Sequence, residues 1–327
     1  MKAIKFFAIS AMAAAMITSC SSEDELSQSN YPSDNIIRVT AGVNNAKTRA
    51  DGTGTEMKND FSLTIVNKNA PKYTYTDKVF SKKSGDWACS ETLLWQKSDA
   101  LVDIVAFAPA QTGKFNGVYA EGSIKPITYS VASDQSTSSD KNDLLYYYAK
   151  DFNPGESLDK GKLNIKFNHA FCMIDINVTL GTEFNKPSIQ TTSPIIKVTL
   201  GGTKIAANVN VTNAASVVTA SETAAATDIT TTNGSFTTAA NAETNAKSCF
   251  SCIAIPQTVA ANTFKVSLMT AGKRYEWTSD KEITLQSGYR YTLNLSMGND
   301  VVLLKGGSIS ASPWTEGDTG DKPLETD

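Results

Sequence analysis

From Ile37 the chain alternates. Ile37, Val39, Ala41 and Val43 are apolar, and Arg38, Thr40 and Gly42 between them are polar or small. Apolar residues at every second position mark a strand with one face on a core and the other in water, so residues 36–43 read as the first strand. The loop that follows, residues 44–58, is rich in Asn, Thr, Gly and charge, with Asp51-Gly52 and Gly54 as turn signals. Alternation resumes over 61–66, where Phe61, Leu63 and Ile65 point inward, and again over 73–80. Trp87 and residues 93–95 flank a hairpin turn region. Residues 101–109 are the most apolar run of this half, as expected of a buried central strand stopped by Pro109. Residues 144–149, with Tyr146, Tyr147 and Tyr148, form an aromatic segment expected to pack on the core.

The second half opens with Leu163, Ile165 and Phe167 alternating; after a register change near His169 and Ala170 the pattern continues at Ile174, Ile176 and Val178. The Thr/Ala/Asn-rich tract 201–247 alternates weakly at Ile205, Val209 and Val211 and reads as long exposed hairpins or a loop on the sheet. Clear strands follow at 249–255, ended by Pro256, at 263–270 and at 289–295, and residues 301–304 look like a continuous core strand. No long amphipathic helix is evident after residue 20. Short strands with turn signals throughout imply an all-β chain of two tandem β-sandwiches, residues 36–160 and 161–327.

Length and composition agree: 327 residues with 41% hydrophobic and 9% aromatic content suggest about two domains with substantial cores. The leader changes the picture more. Lys2 and Lys5 precede an apolar stretch at residues 6–17, and Ile17-Thr18-Ser19-Cys20 closes it. Residues 1–19 thus read as a secretory signal, too short for the roughly 20 apolar residues that span a bilayer. The cysteine after small residues resembles a bacterial lipobox, in which Cys20 becomes the acylated first residue; an ordinary signal peptide with a coincidental cysteine is the alternative. Residues 20–35 are a polar, acidic tether. Its start, Ser21 to Glu25, resembles an acidic export tag for surface lipoproteins and is equally read as a solvated linker. Loss of Lys2 and Lys5 with the leader takes the net charge from −3 to −5. No basic face suggests nucleic acid as a partner.

Catalytic chemistry finds little support. His169 is the only histidine and sits in a strand-like apolar context, so a Ser-His-Asp triad is not indicated. Asp134, Asp140 and Asp143 do not have EF-hand spacing. Trp314, Glu316 and Asp318 lie on a charged terminal segment rather than in a carboxylate pair. Cys249 and Cys252 are spaced C-x-x-C, but on a strand positions i and i+3 face opposite ways, so these residues, with Cys89 and Cys172, read as small core residues. No enzyme, metal or cofactor is expected.

Several segments together resemble the fimbrillin family, lipoprotein precursors of the type V pili of Bacteroides-type anaerobes. They are the lipobox at Cys20, Thr48-Arg49-Ala50 after a first strand, Gly85-Asp86-Trp87, residues 102–109 and 143–149, Phe167-Asn168-His169-Ala170, Ile255-Pro256-Gln257, residues 288–293, and Ile309 to Trp314. The resemblance implies two transthyretin-like β-sandwich domains, outer-membrane anchoring through lipidated Cys20, and a cut at Arg49–Ala50 by a trypsin-like, Arg-specific protease. It also implies that the freed first strand, with Ile37, Val39, Ala41 and Val43, gives way to a strand of another pilin subunit in a surface fimbrium. Loss of such a strand would forfeit on the order of 1.5–3 kcal/mol for each buried side chain and leave an edge that calls for a replacement. The acidic tail 315–327, with Leu324 as its apolar residue, is a poor donor, which points to a tip or accessory subunit rather than a stalk. The rival reading is a monomeric surface lipoprotein, an anchor subunit or a module that binds glycan or another host or bacterial surface ligand through exposed Tyr146, Tyr147, Tyr148 or Trp277.

Overall fold

The structure is a computed structural model and describes residues 30–44, 57, 59–110, 119–120, 123–137, 142–186, 188–299, 301–304 and 309–314. Among these the regular structure is strand, interrupted by short helical turns such as Pro154–Ser157. No helix among the described residues is long and apolar enough to cross a membrane.

Seven strands close on one another. They are β1 (Arg38–Val43), β2 (Phe61–Val66), β3 (Tyr75–Lys83), β4 (Asp86–Cys89), β5 (Val102–Ala108), β6 (Leu145–Phe152) and β7 (Lys162–His169), in the spatial order β1-β7-β6-β5-β2-β3-β4. β1 and β7 run parallel and the other neighbours antiparallel. The β3–β4 hairpin turns on Ser84 and Gly85, both at positive φ, the two-residue geometry whose twist matches that of the flanking strands. The alternation seen in the sequence fills the barrel: Phe61, Leu63, Ile65, Ile104, Leu163, Ile165 and Phe167 are all 1% exposed or less.

β5 is buried along its whole length. Ile104, Ala106 and Ala108 face the barrel interior, while Val105 and Phe107 join the second core. Asp103 sits among them, in an ion pair with Lys68 at 2.8 Å and accepting the Asp151 N–H, as a buried carboxylate must.

The second body is built on β8 (Cys172–Leu180), β9 (Ile195–Gly201), β10 (Lys247–Ala254), β11 (Lys265–Thr270) and β12 (Tyr289–Met297). One sheet runs Thr232–Thr237, β10, β8, β12, Val302–Leu304, with Ser310–Pro313 also on β12; another runs Ile229–Thr230, β9, β11, Arg274–Thr278. Ile174, Ile176, Phe250, Leu293 and Leu295 of the first meet Val198, Leu200, Val266 and Leu268 of the second in one core.

Three sequence expectations need correction. Residues 162–169, placed with the second half by their alternation, form β7 of the barrel, because their partner is β1, which pairs with them from Arg38↔Lys162 to Val43↔Phe167. The tract 201–247 contains a hairpin, one of the two forms expected of it, but a half-buried one rather than an exposed one. Its strands Ala206–Val209 and Val218–Ala220 pair with each other and the former with Ile127–Ser130, burying Ala207, Val209 and Val218. Residues 301–304 are an edge rather than a core strand: Val302 is buried, while Val301 and Leu303 are 49% and 58% exposed.

Candidate functional site: the first strand and its slot

β1 lies between two neighbours that hold it very unequally. Along β7 it makes a continuous six-residue parallel register, and Asn44 extends it by donating its N–H to Phe167 O at 2.6 Å. Along β4 it has one pair, Val39↔Trp87. Just upstream, Ile37 N–H donates to Leu93 O at 2.9 Å and Trp95 N–H to Asn35 O at 2.8 Å.

The four inward residues read from the alternation all reach the barrel core. Ile37 and Val39 are 6% and 4% exposed, and Ala41 and Val43 are half-buried against the same cluster. Under them Phe61 stacks on Phe80 at 5.3 Å and meets Trp87 at 5.0 Å and Phe167 at 5.5 Å edge-on, so the floor of the slot is aromatic. The outward face is polar. Thr40 Oγ1 donates to Asn164 Oδ1 at 3.4 Å, Asn44 Nδ2 donates to Asn168 Oδ1 at 2.8 Å, and Gly42 faces Lys166.

Asp34 fastens the start of the strand, accepting from both Arg38 guanidinium nitrogens at 3.0 and 2.6 Å and from Ile36 N–H at 3.1 Å. The Arg38 hydrogen bonds first, then that of Ile36, hold its carboxyl down at about 2. Because this lies below the ordinary aspartate value of about 3.9, the pair contributes above that value and is lost as pH falls through about 2. The group is fully exposed, so the effect on stability is small. In an NMR titration Arg38→Ala is expected to move the Asp34 midpoint upward; an unmoved midpoint would mean the pair does not form in solution.

Cys20, Arg49 and Ala50 lie outside the described residues, as do Asp140, Glu316 and Asp318. Asp134 accepts the Ser136 N–H of its own turn. Among the described residues no group of three or more His, Cys, Asp or Glu could hold a metal. Cys172 and Cys252 are buried, which pushes both thiols up and away from reactivity, and Cys249 is half-buried on the opposite face from Cys252. Tyr146 and Tyr148 pack on the second core, Tyr147 on the barrel, and Trp277 on Phe264 at 6.4 Å, so these aromatics do not form an exposed binding platform.

His169 ends β7, with Nδ1 2.8 Å from Asp143 Oδ2 and its ring stacked on Trp314 at 3.7 Å, 14° from parallel. Trp314, read from sequence as part of a charged tail, is 7% exposed. Sequence reasoning missed this contact and the amides facing β1, because both depend on pairings across more than a hundred residues.

Residues 48–314 match the family described as fimbrillin-like. The chain belongs to the fimbrillin-like family. The family is one of fimbrial structural proteins, which places this fimbrillin-like chain with cell-surface fimbriae. Its fold is shared with a candidate cell adhesion protein from Bacteroides uniformis, at 14% identity and a TM-score of 0.57 over 87% of this chain and 100% of the other. A second such protein, from Bacteroides ovatus, is 15% identical with a TM-score of 0.58, covering 85% and 97%. A fimbrial protein from Bacteroides vulgatus is 15% identical with a TM-score of 0.53, covering 86% and 99%. At these identities the likeness is one of fold. No curated protein matches the chain.

Proposed function

We propose that this fimbrillin-like chain is a fimbrial subunit made as a lipoprotein. In this reading it is anchored in the outer membrane by acylated Cys20, cut at Arg49–Ala50 by a trypsin-like, Arg-specific protease, and built into a fimbrium when a strand of another subunit takes the place of β1. The observation that carries the reading is the one-sided seating of β1, with a full register on β7 and a single pair on β4. Such a strand leaves by giving up one full ladder on β7 and, on its other side, only the Val39↔Trp87 pair and the short pairing of residues 35–37 with 93–95, and its departure opens the barrel between β7 and β4. The unpaired N–H and C=O groups of β7 and the apolar slot then favour another strand. The fimbrillin-like match begins at residue 48, so the segment proposed to be lost lies almost wholly outside it.

The barrel and the body after Ala170 correspond, on this reading, to two tandem transthyretin-like units. The C-terminal side supports a tip or accessory position. Ser310–Pro313 is paired on β12 and Trp314 is buried, while the residues beyond, 315–327, are acidic. Such a subunit accepts a strand and donates poorly.

The test is intact-mass analysis and N-terminal sequencing of protein recovered from the cell surface. A start at Ala50 without lipid is expected. An acylated Cys20 start throughout the population would overturn the maturation step and leave an anchor subunit or a monomeric ligand-binding lipoprotein.

A further inference from the structure

The slot needs more than an apolar groove to seat a strand correctly. In a β-strand a slip of one residue turns every side chain to the wrong face, but a slip of two restores the faces. Ile37, Val39, Ala41 and Val43 are similar enough that the barrel core alone does not separate the observed register from one shifted by two. The outward face can. On β7 it presents Lys162, Asn164, Lys166 and Asn168, which meet Arg38, Thr40, Gly42 and Asn44 in turn. Thr40 and Asn44 supply hydrogen-bonding side chains to the two amides, at 3.4 and 2.8 Å. The two lysine positions are different. Lys166 faces Gly42, which carries no side chain, and Arg38 opposite Lys162 is tied to Asp34 while Lys162 lies 3.6 Å from Asp86.

From this ladder we infer that Asn164 and Asn168 set the register of the strand in the slot, both β1 and the segment of another fimbrial subunit proposed to replace it. The occupant they select carries a hydroxyl or amide side chain at the positions of residues 40 and 44, no cation at the position between them, and apolar residues inward. A shift by two in either direction sets Arg38 or Gly42 against Asn164 and either removes or misplaces both hydrogen-bonding partners. The inference rests on the proposed strand replacement where it concerns an incoming segment, and on the fold alone where it concerns β1.

Two measurements separate these parts. The full chain, nicked after Arg49 with an Arg-specific protease, is incubated with a fluorescent peptide copying residues 36–44, or with the same peptide carrying Thr40→Val and Asn44→Leu. Each cross-strand pair discriminates by roughly 1.4- to five-fold, so the altered peptide is expected to bind about two- to 25-fold more weakly. That difference should vanish in the N164V/N168L protein and return in part with Asn164→Ser, which restores a hydrogen-bonding group. In parallel, hydrogen exchange on the uncut chain is expected to show N164V/N168L lowering protection of β1 by about ten-fold, with β2 and β5 unchanged; both substituted side chains point outward, so the barrel core is retained. Equal binding of both peptides to the unsubstituted protein overturns the inference for an incoming strand while leaving strand replacement intact. If neither peptide enters but β1 protection falls, strand replacement fails and the register role stands for β1. Unchanged β1 protection overturns the inference for β1.

Discussion

A chain lacking residues 30–44 is expected to lose the protection of its barrel while the body built on β8, β10 and β12 stays folded. Ile37 and Val39 are nearly fully buried, and burial of such side chains contributes on the order of 1.5–3 kcal/mol each. Together that is about 3–6 kcal/mol, a large share of the roughly 5–15 kcal/mol that holds a typical domain together. The deletion also turns a closed sheet into an open one, with the β7 and β4 edges unpaired over the aromatic floor of Phe61, Phe80 and Phe167. The second body has a core of its own, from Ala170 to Trp314, and receives Val105, Phe107, Leu144, Tyr146, Tyr148 and the residues near 124–131 from the N-terminal side. Hydrogen exchange read by mass spectrometry should therefore show β2, β3 and β7 unprotected, β5 partly protected through its second face, and β8 to β12 unchanged. Calorimetry should lose one transition. A barrel that kept its protection without β1 would leave no vacancy for a strand to fill, and strand replacement would lose its physical basis.

How much of this was legible in the sequence varies with the range of the interaction. The inward set of β1 was readable because alternation is local, and so were Phe61, Leu63 and Ile65 of β2 and the doubly buried β5. Partners were not readable. Leu163, Ile165 and Phe167 alternate as clearly as any strand, but nothing near them says that they lie beside residues 39–43, so they were grouped with the strands that follow them. Closure into a barrel depends on that pairing and on Val39↔Trp87. Residues 206–220 looked too polar for a core because only every second residue is buried and the partner strand, Ile127–Ser130, lies before β6. Residues 301–304 looked buried because all four are apolar, although an edge strand buries one face. The roles proposed for Cys20 and Arg49, export and cleavage, would act on the chain without depending on its packing.

Trp314→Ala is expected to free the last strand and cost about 3–5 kcal/mol, the usual range when a buried large aromatic is truncated. Ser310–Pro313 has little to hold it otherwise: four ladder positions on β12, no fully buried side chain, and a proline, which donates no N–H, at its end. The indole is the anchor. Its backbone N–H donates to Gly288 O at 2.6 Å, and its ring lies on the His169 imidazole, whose Nδ1 is fixed by Asp143. The contact ties the C-terminal strand to the end of β7, two residues beyond Phe167, which receives the Asn44 N–H at the end of β1. Trp314→Phe keeps a ring on the imidazole and should lose much less. Hydrogen exchange over residues 309–314 reads the release, and a thermal melt reads the cost; full protection in Trp314→Ala would show that the ladder alone holds the strand. The variant also tests the proposed position in the fimbrium. If the anchored strand were a latent donor, freeing it would let one chain, nicked after Arg49, fill the slot of the next, and size-exclusion chromatography would show chains of subunits. The expected result is a monomer, because the freed segment offers Ile309, Ala311 and Pro313 where the slot holds Ile37, Val39, Ala41 and Val43, and the residues after it are acidic.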